Sequence, residues 1–195
     1  MKLRGLYAIT PEVSDVERKV QLALEGGIAL LQYRSKACDR VQAAAIVRMA
    51  RDYGVPVIIN DDVALALELG AAGAHLGRDD GDLRAARKRL GGRILGASCY
   101  NDLQRARDAV HTGADYIAFG SVFASPTKPA AARAPLGLFG EAKALGVPLA
   151  AIGGITLENA PRVIAAGADL LAVITDLFDA PDIRARARAY GKLFA

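Results

Sequence analysis

The chain has 195 residues, of which 52% are hydrophobic and 24% charged, enough for a packed core and too apolar for intrinsic disorder. Aromatics reach only 6%, tryptophan is absent and glycine counts 20, which disfavours an all-β sandwich and suits an α/β protein rich in Ala, Val, Ile and Leu. The net charge of +4 is scattered without interleaved aromatics, which argues against nucleic acid, and no apolar run approaches the ~18 residues of a membrane span.

The start of the chain runs into an apolar segment at 6–9, the first expected strand, with no signal-peptide pattern. A helix follows on the face shared by Val16, Val20, Ala23 and Leu24, with a capping box expected at Ser14 and Glu17. Next come a strand at 28–33, a helix on Ala43, Ile46, Val47 and Ala50, and a strand at 55–59. Short helices are expected at 62–69 and 82–90, separated by a strand at 74–76. A strand at 94–97 precedes a helix on Leu103, Ala106 and Val110; a strand at 116–119 precedes a helix at 136–145. The last units are a strand at 149–152, a helix on Ala160, Val163 and Ile164, a strand at 170–174, and a helix on Ile183, Ala187, Tyr190 and Phe194. Gly70, Gly113 and Gly167 each stop a helix by taking the left-handed conformation.

The strand-length runs are continuous rather than alternating, as in strands buried on both faces. Eight strand-then-helix units require parallel strands with crossover helices, so the expected fold is an α/β (β/α)8 barrel, one domain spanning 1–195. An open doubly wound sheet is the alternative.

In such a barrel the chemistry sits where the strands end. Arg34 and Lys36 follow the second strand and Lys128 the sixth, and the three would converge at that rim. Cations meeting carboxylates in one mouth suit a diphosphate with Mg²⁺, which takes one or two protein carboxylates and completes its shell with phosphate and water. Asp61 and Asp80 could supply the two; on spacing alone, metal ligation and a role as cap or turn residue stay equally open. Asp62 and Asp79 read as cap or turn residues. The segment 120–135, with Ser125, Thr127 and Lys128, is long enough for a lid over an anion; a tolerated insertion is the other reading. Gly153-Gly154, Ile174 and Thr175 fall where many such barrels bind a phosphate through backbone N–H groups. His75 reads as a satisfied core or rim histidine, His111 as surface, Cys38 and Cys99 as packing residues of a reduced cytoplasm, and Arg184, Arg186 and Arg188 as a solvated helix face.

Taken together, Gly5 to Thr10, Gln32-Tyr33-Arg34-Ser35-Lys36, Ile59-Asn60-Asp61, His75 to Asp80, Gly96-Ala97-Ser98, Pro126-Thr127-Lys128 and Ala151 to Ile155 resemble the thiamine-phosphate synthase (thiamine-phosphate pyrophosphorylase) family over nearly the whole chain. The resemblance implies a transferase that joins 4-amino-2-methyl-5-pyrimidinylmethyl diphosphate to a thiazole phosphate and releases diphosphate. It assigns Gln32, Arg34, Lys36, Asn60, Ser98 and Lys128 to the pyrimidine diphosphate, Asp61 and Asp80 to Mg²⁺, Ser125 and Thr127 to the thiazole, and Gly154, Ile174 and Thr175 to its phosphate. Arg34, Lys36, Ser98 and Lys128 form the implied catalytic set. Ser125 and Thr175 depart from the family's usual Thr and Ser but keep a hydroxyl. The implied partners are the two small-molecule substrates, with no nucleic acid and no membrane; a homo-oligomer is left open. A thiazole tautomerase of the same fold is the rival. Tyr100, two residues after Ser98, disfavours it, because tautomerase relatives carry a histidine there.

Overall fold

The computed structural model describes residues 3–37, 39–124 and 133–195. In chain order it contains β1 (Gly5–Ile9), α1 (Val16–Gly26), β2 (Leu30–Tyr33), α2 (Arg40–Asp52), β3 (Val57–Asn60), α3 (Val63–Glu68), β4 (Gly73–Leu76), α4 (Leu83–Leu90), β5 (Ile94–Tyr100), α5 (Leu103–Thr112), β6 (Tyr116–Gly120), α6 (Gly137–Ala142), β7 (Leu149–Ile152), α7 (Ala160–Ala165), β8 (Leu170–Val173), α8 (Thr175–Phe178) and α9 (Ile183–Lys192). Each strand pairs in parallel with its neighbours, and β1 closes on β8 with Gly5 opposite Leu170 and Tyr7 opposite Ala172. Closure rules out the open sheet and confirms the (β/α)8 barrel.

Local chemistry explains most helix starts. Asp39, Asp62, Asp82, Asp102 and Asp182 are N-caps whose carboxylates accept from backbone N–H groups at Gln42, Leu65, Ala85, Arg105 and Ala185. Asp62 is therefore a cap, as expected. The capping box expected at Ser14 and Glu17 does not form: α1 starts from Asp15, which makes no side-chain cap bond. Gly70, Gly113 and Gly167 take positive φ after their helices. The expected helix at 136–145 divides into α6 and a 3-10 turn at Lys143–Leu145. The one-turn α8 is absent from the sequence reading.

The barrel wall buries side chains on both faces. Outward, residues such as Leu31, Val57, Ile59, Ile117, Phe119 and Leu171 pack against the helices, with Phe119 edge-on to Phe139 at 5.5 Å between ring centroids. Inward, a smaller cluster of Tyr7, Ile9, Leu30, Ile58, Tyr116, Ala118, Ala150 and Leu170 fills the barrel. The arginines of α9 are not a uniform solvated face. Arg186 pairs with Asp176 at 3.2 Å and Arg184 pairs with Glu25, while Arg188 stays exposed.

Candidate active site at the barrel mouth

The ends of β1 and β2 are stapled by Thr10, whose buried hydroxyl accepts from Arg34 N at 2.8 Å and donates to Arg34 O at 3.0 Å. This fixes the backbone from which Arg34 projects. Lys36 is held by its own N–H, which donates to the Glu12 carboxylate at 2.7 Å. Neither Arg34 nor Lys36 makes a salt bridge among the described residues, so both cations remain available to an anion.

β3 delivers Asn60 and Asp61. Asp61 has φ of 63°, left-handed for a residue other than glycine, and Tyr100 at the end of β5 has φ of 55°. Strained backbone of this kind concentrates at functional sites. The Asn60 amide donates to Asp61 Oδ2 at 2.5 Å. β4 and its loop deliver Asp80, which folds back so that Gly77 N donates to its Oδ2 at 2.8 Å. A Cβ on Gly77 would lie 2.5 Å from that oxygen, so a larger residue there would push the Asp80 carboxylate aside.

The Asp61 and Asp80 carboxyl groups meet. Partial burial, then the hydrogen bond and charge of Asp80, push Asp61 up to about 6, against the opposing pull of Arg34 and Asn60. Two carboxylates pressed together beside an arginine form a pair that a divalent cation would relieve. No group of three or more metal-ligating side chains occurs among the described residues. Two carboxylates with open positions for phosphate and water fit Mg²⁺, which binds in that manner.

A buried polar chain lies beneath the mouth. Gln32 Nε2 donates to Tyr7 Oη at 2.6 Å, Tyr7 Oη lies 2.7 Å from Tyr116 Oη, Tyr116 Oη lies 2.9 Å from His75 Nδ1, and His75 Nε2 lies 2.8 Å from Ser98 Oγ. Burial pushes His75 down to about 4 and raises both tyrosines above the usual phenol range. The histidine is thus neutral and fully bonded, as the sequence reading expects, but its partners were not foreseen. His75, Gly96 and Tyr116 are register neighbours on β4, β5 and β6. The imidazole and phenol rings stack at 5.5 Å over Gly96, where a Cβ would lie 2.2 Å from Tyr116 and 2.5 Å from His75. A glycine inside a strand is the one sequence signal for such a close approach.

Ser98 sits above this chain at an irregularity between β5 and β6, and its carbonyl accepts from Arg105 Nε at 2.8 Å. Tyr100 stands beside it, its hydroxyl accepting from Arg78 N at 3.2 Å and its ring flanked by the Arg78 and Arg105 guanidiniums at 4.9 and 5.8 Å.

On the opposite side, Gly153 and Gly154 have positive φ and lie against the loop after β6: a Cβ on Gly154 would come 2.2 Å from Ala124 O. Their glycine character therefore has a packing cause beside any ligand role. Ile174 and Thr175 open the one-turn α8 at the end of β8. The structure thus gathers Gln32, Arg34, Lys36, Asn60, Asp61, Asp80 and Ser98 around β2 to β5, with Gly154, Ile174 and Thr175 at the ends of β7 and β8. Ser125, Thr127, Lys128 and Cys38 lie outside the described residues. Before and after the first three in the chain, Val122 N donates to Ile152 O and Ala134 N to Ser121 O, each 3.0 Å. His111 is exposed and Cys99 is packed in the outer core.

The sequence model of the family described as thiamine monophosphate synthase matches residues 6–177. The thiamine-phosphate synthase of Aromatoleum aromaticum is 58% identical over 202 residues, covering 99% of this chain and 97% of that protein. That of Methylobacillus flagellatus is 52% identical over 200 residues, covering 98% and 96%. Among solved structures, the thiamine phosphate pyrophosphorylase from Pyrococcus furiosus aligns with a TM-score of 0.90 at 31% identity, covering 99% of this chain and 96% of that one. A 3-hexulose-6-phosphate synthase aligns with a TM-score of 0.76 at 18% identity, a likeness of fold alone.

Proposed function

The chain belongs to the thiamine monophosphate synthase family, a transferase of thiamine biosynthesis, and we propose that its barrel mouth joins 4-amino-2-methyl-5-pyrimidinylmethyl diphosphate to a (carboxy)thiazole phosphate. The observation that carries the assignment of residues is the meeting of Asp61 and Asp80 beside Arg34, with Ser98 and Asn60 on the same rim.

In this reading Gln32, Asn60 and Ser98 orient the pyrimidine, and Arg34, Lys36 and Lys128 hold its diphosphate. Asp61 and Asp80 would hold Mg²⁺, which when bound neutralises developing charge on the departing phosphate oxygens. The C–O bond of the pyrimidinylmethyl group breaks and its electron pair leaves on the diphosphate. Arg34, with Lys36 and Lys128 as point charges, stabilises that anion more as its charge grows. The thiazole nitrogen then gives its lone pair to the CH₂ carbon, forming the new C–N bond; where the thiazole carries a carboxylate, that group leaves as CO₂. Gly154, Ile174 and Thr175 hold the thiazole phosphate, with Ser125 and Thr127 facing the ring, so that the nucleophile is near before ionisation. No strong general base is needed, in keeping with a neutral, fully bonded His75.

A tautomerase would need a proton-shuttling group near Ser98. Tyr100 occupies that place with its hydroxyl engaged by Arg78 N. No helix among the described residues is long and apolar enough to cross a membrane. Small-molecule substrates in the cytoplasm complete the proposal.

The test is incubation with both substrates and Mg²⁺, following thiamine phosphate and diphosphate together. Equal amounts of the two products are expected. Isomerisation of the carboxylated thiazole phosphate alone, with no thiamine phosphate when both substrates are present, would overturn the reading.

A further inference from the structure

We propose that Tyr7, Tyr116 and His75 are positioning residues for Ser98: a one-way chain of hydrogen bonds that begins at Gln32 leaves the Ser98 hydroxyl proton free to donate to an acceptor on the pyrimidine substrate. The proposal rests on the reading that Ser98 faces that substrate, and it adds the group that sets the direction in which Ser98 bonds.

The direction follows from counting protons. The Gln32 amide nitrogen can only donate, so Tyr7 Oη accepts from it at 2.6 Å. The other partner of Tyr7 Oη among the described residues is Tyr116 Oη at 2.7 Å, and the single Tyr7 proton goes there. Tyr116 has then accepted, and its own proton goes to His75 Nδ1 at 2.9 Å. A neutral imidazole that accepts at Nδ1 carries its hydrogen on Nε2, and that N–H donates to Ser98 Oγ at 2.8 Å. The serine oxygen is thereby occupied as acceptor from below. Its hydroxyl proton is left over, with no acceptor for it among the described residues, and is free to meet one in the mouth.

The protein goes to some length to build this chain. The two tyrosines lie 109 residues apart in the chain, and their rings meet edge-on at 5.8 Å. His75 and Gln32 are two of only three polar or charged non-tyrosine side chains buried among the described residues, the third being Thr10. Gly96 gives up its side chain so that the His75 and Tyr116 rings can meet. Phenylalanine and leucine would fill the same barrel without any need for hydrogen bonds, so packing alone does not call for four polar groups in line.

The tautomer of His75 is the direct readout. The chain has two histidines, so His111→Gln, a change at an exposed helix position, leaves His75 as the sole imidazole. Long-range ¹H–¹⁵N correlation spectra of the ¹⁵N-histidine-labelled, ligand-free protein should show a neutral ring with hydrogen on Nε2. Hydrogen on Nδ1, which corresponds to the reversed chain with the Gln32 amide turned over, would overturn the proposal whatever Ser98 does in the reaction.

The second arm is a kinetic cycle of Tyr116→Phe, Ser98→Ala and the double variant. Tyr116→Phe should lower kcat about tenfold with KM for the thiazole phosphate unchanged, and should add no further loss on the Ser98→Ala background. An equal, additive loss on both backgrounds would mark a purely structural tyrosine and overturn the positioning role. Full activity in Ser98→Ala with hydrogen still on Nε2 would instead break the assignment of Ser98 to the substrate, and the positioning role with it. If Tyr116→Phe fails to fold, the histidine spectrum of the otherwise native chain still decides.

Discussion

On the outer face of the barrel wall, strand side chains meet the helices through Leu, Val, Ile, Phe and Ala, and the same cluster takes in the Tyr33 and Tyr190 rings and the Cys99 side chain. On the inner face, the apolar cluster is small and gives way toward the mouth to Gln32, His75, Ser98, Asn60 and the Asp61–Asp80 pair. One wall therefore serves two ends. Burial of apolar area on the outside stabilises the fold, while the inside accepts desolvated polar groups and a like-charge contact that cost stability and would pre-arrange the proposed binding site. Substitutions on the two faces should separate stability from turnover.

The largest expected effect is on the outer face. Phe139, fully buried and edge-on to Phe119, should cost about 3–5 kcal/mol when changed to Ala. Urea denaturation measures this, and the folded fraction should keep its KM values. A shifted KM would show that the two faces are not separable. At the mouth the pattern should invert. Asp80→Ala is expected to lower turnover roughly 100-fold, or about 2.7 kcal/mol of transition-state stabilisation, and to raise the Mg²⁺ concentration required. Its denaturation midpoint should not fall; a loss of stability to match the loss of rate would make Asp80 structural.

Gly96 lies where the two demands meet. Gly96→Ala would place a methyl group among the atoms of Tyr116 and His75, and a cost of about 1–3 kcal/mol together with a fall in kcat is expected. Denaturation and steady-state kinetics of the same sample check it, and an effect on only one of them would contradict the shared role.

The smallest effect is a matter of pH. Asp61 is raised in the folded protein to about 6, from about 4 in an unfolded chain. Between those values the folded state keeps a proton that the unfolded chain has released, so the group's contribution lowers stability as pH rises through the window. In metal-free protein, Asp61→Asn should therefore melt higher than the parent above pH 6, with the advantage vanishing below pH 4. Melting curves in chelator across pH 4 to 8 give the comparison; a variant less stable at pH 7 would mean the carboxylate is favourably paired.

The barrel was legible because eight apolar runs and their intervening helical periods are local signals. Gly113 and Gly167 end helices where the spacing said they would, and Asp62 caps α3 as expected. Errors fell where a local rule had a competitor. Ser14 and Glu17 have the spacing of a capping box, yet the helix begins from Asp15. Arg184 and Arg186 read as solvated because their partners, Glu25 and Asp176, belong to α1 and α8, and α8 is only one turn long. At the mouth, Asp61 and Asp80 could be named from strand ends alone. Their contact could not, since it depends on a left-handed backbone at Asp61 and a loop folded back over Gly77. The polar chain was hidden for a related reason. Strands of four or five residues in a parallel barrel read as uninterrupted apolar runs, so Tyr7, His75 and Tyr116 carry no mark of facing inward. Only Gly96, a glycine inside a strand, hinted at rings meeting across it.

The central claim is that the Asp61–Asp80 pair and the cations of the rim form one Mg²⁺-dependent diphosphate site. Calorimetric titration of diphosphate into the native protein and into Asp80→Asn, each with and without Mg²⁺, tests it without any need for turnover. The account predicts tight binding to the native protein only with Mg²⁺, and loss of that dependence in Asp80→Asn at an unchanged melting temperature. Equal diphosphate affinity in all four titrations would contradict it.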